Sequence, residues 1–317
     1  KMQFIHFERC LGAFIKHFQL EVTIEQVLDA TGDLIIGEVQ ICAKETTIIT
    51  NKGVKYVIGL KLKEIAESVQ NRRLIAAFLP SLIEGDRFAS ESQIIQLEFF
   101  FAPKLLQLSQ VGCFLNSSFL TEFFCPWARD LNQVTFFGAQ RLTNLFLCEI
   151  THLKGAMFIQ SGVQNVYAPK LQKLNSEDLC QCFYESKIKQ LFCPHDVACQ
   201  NTDDCKNISM CPFCAKDYSK ISDQKFTFSQ FAAKFDCYPI TMKLLREGGL
   251  MCQVDNATDF YKRAEQAQEN IKKNRKLEKS LAKTQRKNKD ILKNIGGRFI
   301  LVGGFVEECC GFELGGE

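Results

Sequence analysis

The sequence predicts an α/β repeat fold: a solenoid built on a parallel β-sheet, with a helical N-terminal cap and a long basic C-terminal helix. Three observations lead there. Prolines, or residues in their place, recur every 20 to 25 positions. The apolar residues around them keep one register over seven copies. The flanks change character, to an amphipathic helical pattern before the repeats and a lysine-rich run after them.

The repeat is clearest around "LTEFFCPWARDL", residues 120–131. With Pro126 as origin, the equivalent anchors are Leu60, Pro80, Pro103, Cys148, Pro169 and Pro194. The seven anchors are separated by 20, 23, 23, 22, 21 and 25 residues. Six positions before them stand Val54, Leu74, Leu97, Leu120, Leu142, Val163 and Ile188. Three before stand Val57, Ala77, Phe100, Phe123, Leu145, Val166 and Leu191, and one before are small or aliphatic residues. Five after are Ile65, Leu108, Leu131, Leu153 and Leu174, with Gly85 and Cys199 as exceptions. A copy of this kind makes one short strand and a turn, and it cannot bury its apolar face alone. Stacking the copies lines the strands into a parallel sheet over a continuous core. Residues 51–196 are therefore read as the solenoid, with about six or seven short strands. A proline directly after the strand ends the ladder without needing an N–H partner.

The spacing L-x-x-L-x-L at this period is that of a leucine-rich repeat. Stretches such as "LTEFFCPWARDLNQV", "VQNVYAPKLQKLNSEDL" and "IIQLEFFFAPKLLQL" resemble the BspA-like (treponemal-type) leucine-rich repeat, over about residues 54–196. The place two residues past the anchor, Asn or Cys in the commoner type, holds Leu62, Leu82, Leu105, Ile150 and Leu171, so no asparagine ladder is expected. The strand position two before the anchor, usually small and polar in the family, is aromatic here in six of the seven copies. The resemblance implies a binding or adhesion scaffold without catalysis, and no particular partner.

That aromatic position is the candidate site. It holds Ile58, Phe78, Phe101, Phe124, Phe146, Tyr167 and Phe192. Successive strand residues point to opposite faces, so these rings lie opposite the core-facing Phe100, Phe123, Leu145 and Val166. Strands about 4.8 Å apart would stack them into a ladder. Two readings follow. If the ladder meets solvent, Phe78, Phe101, Phe124, Phe146, Tyr167 and Phe192 form a partner-binding surface, rimmed by Glu122, Asn144, Asn165 and Gln190. If a terminal segment folds over it, the ladder is core.

Residues 1–50 are expected to supply the N-terminal cap. Phe4, Phe7, Leu11, Phe14, Ile15 and Phe18 recur at helical spacing over 4–20. Residues 34–50 carry strand material suited to a degenerate repeat. Residues 197–256 form a Cys-rich C-terminal cap. Within it Cys199, Cys205, Cys211 and Cys214 are candidate zinc ligands, since thiolates at such spacing suit tetrahedral zinc. Only Cys211 and Cys214 make a C-x-x-C pair, and polar cap material with free thiols is the alternative, so no cofactor is expected.

Residues 257–295 read as a solvated basic helix. From Lys262 to Lys293 there are twelve Lys or Arg against four acids, without Gly or Pro. The Gly-rich tail 296–317 supports no assignment.

The net charge of +3 on 317 residues argues against a nucleic-acid binder overall. No apolar run reaches the roughly 20 residues a membrane span needs. Sixteen cysteines dispersed over the chain fit reduced thiols in the cytoplasm rather than a disulfide framework. No Walker loop, G-x-G-x-x-G, H-E-x-x-H or G-x-S-x-G is present, and nothing nominates an enzyme. The functional expectation is a non-enzymatic scaffold for a protein partner. The alternative is a zinc-stabilised adaptor whose basic helix binds nucleic acid or an acidic surface.

Overall fold

The computed structural model describes residues 2–49, 53–66, 69, 71–85, 96–108, 111–172, 181–194 and 221–255. All belong to the first of two compact units, Lys1–Ala264; the second, Glu265–Glu317, has no described residue. The basic stretch 257–295 and the tail 296–317 thus lie outside the described residues.

The described chain is a parallel β-solenoid. It begins with helices α1 (Met2–His17) and α2 (Ile24–Leu28). The strands follow in chain order: β1 (Leu34–Ile36), β2 (Val39–Ile41), β3 (Thr46–Thr47), β4 (Tyr56–Ile58), β5 (Glu64–Ile65), β6 (Ala76–Phe78) and β7 (Phe99–Phe101). Then come β8 (Gln107–Leu108), β9 (Glu122–Phe124), β10 (Asp130–Leu131), β11 (Asn144–Phe146), β12 (Asn165–Tyr167), β13 (Gln190–Phe192) and β14 (Ile221–Ser222). Three helices close the described chain: α3 (Phe228–Lys234), α4 (Pro239–Glu247) and α5 (Met251–Asp255).

The three-residue strands are too short to hold themselves. They persist because each joins the next turn in register. The main sheet runs β1-β2-β4-β6-β7-β9, parallel after the antiparallel β1–β2 pair, and continues as β11-β12-β13-β14. The register is that of the sequence repeat: Phe78 pairs with Phe101 and Phe101 with Phe124. The sequence implied one unbroken sheet over 54–196. The structure instead interrupts the ladder between β9 and β11. Residues 39–41 join as the first parallel strand, ahead of the first anchor.

The proline has a more specific role than ending the ladder. Leu82, Leu105, Ala128 and Leu171 donate their N–H to the carbonyls of Leu79, Ala102, Cys125 and Ala168, at 3.0–3.1 Å. Pro80, Pro103, Pro126 and Pro169 are therefore the second residue of a β-turn, where the fixed φ of proline is already correct. The chain turns there into a second, narrower parallel sheet that the sequence did not announce. It is formed by β3, β5, β8 and β10, with Glu84 bridging Glu64 and Gln107.

Between residues 111 and 184 the return side of the turns is an arc whose backbone also stacks. Phe114, Phe136 and Phe158 donate N–H to Thr135, Met157 and Cys182 at 2.8–3.0 Å. Their rings, with Phe183, make an inner column at centroid spacings of 5.9, 5.9 and 5.0 Å. Two left-handed positions recur in three successive arcs. One column is Gly112, Val134 and Ala156 (φ 74, 52 and 63°), the other Asn116, Gly138 and Gln160 (φ 57, 70 and 53°). Close approach makes glycine necessary at residue 162, where a methyl would sit 1.9 Å from the carbonyl oxygen of Gln140.

The core lies between the two sheets and the arc. Val57, Ala77, Phe100, Phe123, Leu145, Val166 and Leu191 are all buried, as the register requires. No described helix is long and apolar enough to cross a membrane.

Candidate interaction face

The aromatic ladder exists, and it is covered. Phe78 and Phe101 stack at 5.1 Å, Phe101 and Phe124 at 5.3 Å, and Phe146 and Tyr167 at 4.8 Å, each pair within 17° of parallel. Yet Phe78, Phe101, Phe124, Phe146, Tyr167 and Phe192 are each no more than 5% exposed. Of the two readings, the solvent-facing one is corrected and the covered one holds: the chain's own helices lie on this face. Of the residues expected to rim it, Glu122, Asn144 and Asn165 are buried too, and Gln190 is half-buried.

Helix α1 covers one end. It lies across the sheet face, where the sequence had suggested a cap. Its buried stripe is Cys10, Leu11, Ala13 and Phe14. Phe14 meets Phe78 at 5.1 Å and Phe99 at 6.0 Å, and Phe18 meets Tyr56 at 5.6 Å. The Cys10 thiol donates to the carbonyl of Leu244, joining α1 to α4.

Helix α3 covers the other end. Thr227 and Gln230 form a capping box that fixes its start. Its apolar side then falls on the ladder. Phe228 meets Phe124 at 4.8 Å and Phe146 at 5.2 Å. Phe231 meets Phe146 at 5.4 Å, and Phe235 meets Phe192 at 5.6 Å. Asp255 of α5 accepts from the Ser229 amide (2.9 Å) and hydroxyl (2.6 Å), tying α5 to the start of α3.

Helix α4 is held by two strand-borne devices. Tyr238, at its N-cap, sits at φ 60° and makes no side-chain cap. The missing cap comes from β9. The Glu122 carboxylate accepts from the amides of Ile240 (2.8 Å) and Thr241 (2.9 Å) and from the Thr241 hydroxyl (2.7 Å). These are orphan donors of the first turn, and negative charge is favoured at a helix N-terminus. Burial raises Glu122's proton affinity above the usual carboxylate range, and the three donors pull it only part of the way back.

The Tyr238 side chain, freed from capping, inserts at the interrupted ladder. Its hydroxyl accepts from the Phe146 amide (3.1 Å) and donates to the Asn144 carbonyl (3.0 Å), with the Phe123 carbonyl 3.4 Å away. A side chain thus satisfies backbone groups that the neighbouring strands satisfy through one another. Burial pushes the phenol well above its ordinary value, which keeps this donor protonated.

The sequence reading missed Tyr238, Thr241, Phe228, Phe231 and Phe235. A signal was present, since Thr227 three before Gln230 and phenylalanines at 228, 231 and 235 spell a capped amphipathic helix. The candidate zinc ligands Cys199, Cys205, Cys211 and Cys214 lie outside the described residues. Among the described residues no cluster of His, Cys, Asp and Glu is arranged to hold a metal.

Comparison of the chain with protein-family models, curated proteins and solved structures gives no match.

Proposed function

We propose that the chain is a non-enzymatic, cytoplasmic protein-interaction scaffold of the BspA-like leucine-rich-repeat kind, whose aromatic sheet face receives amphipathic helices. One observation supports this above the others. The face carries three separate helices through side-chain-specific contacts: aromatic rows for α1 and α3, and the Glu122 carboxylate for the first turn of α4. Helix-in-groove recognition uses the same parts, apolar anchors at helical spacing against a hydrophobic face.

In the closed chain the occupants are its own. Burying a phenylalanine stabilises by about 1.5–3 kcal/mol, and a tethered segment competes at an effective concentration on the order of millimolar. A protein partner offering a helix must therefore displace part of the cover.

A synthetic peptide copying residues 226–255 tests this, titrated into the intact chain and into a Tyr238→Phe/Thr241→Val variant. Binding to the variant at least tenfold tighter than to the intact chain, and lost on adding Phe124→Ser, is the expected result. No binding to either up to about 1 mM, the tether's own scale, would overturn the proposal.

A further inference from the structure

We propose that Glu122 and the first turn of α4 form a proton-linked latch that sets how often the helical cover leaves the aromatic face. The inference rests on the reading of that face as a helix-receiving surface, but its test reads the cover directly and needs no partner.

The geometry supplies the latch. Glu122 is the register partner of Phe99 on β7, so it rises from the middle of the covered face. From α4 it meets the Ile240 and Thr241 amides and the Thr241 hydroxyl. The Cys237 thiol and the Tyr238 phenol, just before α4, are the titratable groups that act with it. Both are pushed upward by burial and stay neutral, so neither offers a countercharge. Opening α4 would return the carboxylate to water while separating the Tyr238 hydroxyl from the strand backbone.

The sign follows from the two environments. In the closed state burial raises Glu122's proton affinity; in the open state the carboxyl has its ordinary value. Opening therefore releases a proton wherever the open form is ionised and the closed form is not. The closed state is fully favoured below the ordinary value and loses ground as pH rises toward the raised one. Above that, the balance levels off. His17 of α1, which feels the charge of Lys243 on α4, works the other way. Burial and then Lys243 lower the imidazole's proton affinity, so His17 favours opening as pH falls.

Amide hydrogen exchange across residues 240–247, corrected for intrinsic rates, reads the opening constant against pH. It should rise from about pH 4.3, by up to tenfold per unit, and then flatten. Glu122→Gln should abolish that rise, whereas His17→Gln should keep it. Should Glu122→Gln fail to fold, the ¹³C-carboxyl titration of Glu122 in the native chain decides. A midpoint above the ordinary range, moved further up by Thr241→Val, supports the latch. A midpoint at the ordinary value, or a rise that persists in Glu122→Gln, overturns it.

Discussion

The hydroxyl of Tyr238 stands 3.1 Å from the backbone amide of Phe146, where the main sheet's ladder is interrupted between β9 and β11. Ninety-two residues separate the two in sequence. The contact therefore ties the helical cover to the solenoid, and the hydroxyl acts as a missing rung.

Removing that rung has a definite expected effect. Tyr238→Phe keeps the ring against Phe124 and Phe228 but leaves the buried Phe146 amide without its acceptor. An unsatisfied buried donor costs about 1–3 kcal/mol. Urea denaturation should show the midpoint falling with the slope unchanged.

The two phenylalanines of "EFFCP" should behave alike. Phe123 packs inward against Phe100, Phe114 and Phe136, and Phe124 packs outward against Phe101 and Phe228. Both are almost fully buried. Phe123→Ala and Phe124→Ala should each cost about 3–5 kcal/mol. A thermally silent Phe124→Ala would mean that the cover is not seated.

Those residues also show what the sequence could and could not tell. Strand alternation placed Phe123 and Phe124 on opposite faces, and the register at Leu97, Leu120 and Leu142 placed the core, because both depend on neighbours a few residues away. What covers Phe124 depends on Phe228, more than a hundred residues on, and alternation is blind to that. Alternation puts Glu122 on the outward face but gives no sign of its burial, which exists only once the α4 N-terminus arrives. The inner column Phe114, Phe136, Phe158 and Phe183 is legible in its spacing, which follows the repeat. The left-handed column at Gly112, Val134 and Ala156 was not legible, because valine and alanine give no sign of positive φ.

That column yields a stabilising substitution. Val134 holds φ 52° with a β-branched side chain, a conformation that costs of order 1–3 kcal/mol. Val134→Asn should raise stability by up to about 1 kcal/mol, since asparagine tolerates this region. Val111→Asn, at an exposed position without positive φ, is the control and should change little. Paired melting curves compare them.

Thiol chemistry follows burial. Only thiolates alkylate readily. Burial pushes the thiols of Cys10 and Cys237 up to about 12, and raises those of Cys42, Cys125 and Cys148 well above the ordinary thiol value too. Site-resolved mass spectrometry after iodoacetamide at pH 8 should find the exposed Cys252 modified before these five. Early labelling of Cys10 would mean that the α1–α4 contact opens freely.

The seating of α3 on the ladder is tested most directly by a double-mutant cycle between Phe124 and Phe228, whose ring centroids lie 4.8 Å apart. Phe124→Ala, Phe228→Ala and the double variant are unfolded in urea. Side chains in contact couple by about 0.5–3 kcal/mol, and a coupling of that size is the expected result. Strict additivity, with Phe228→Ala leaving stability unchanged, would contradict the covered face and return the aromatic ladder to solvent.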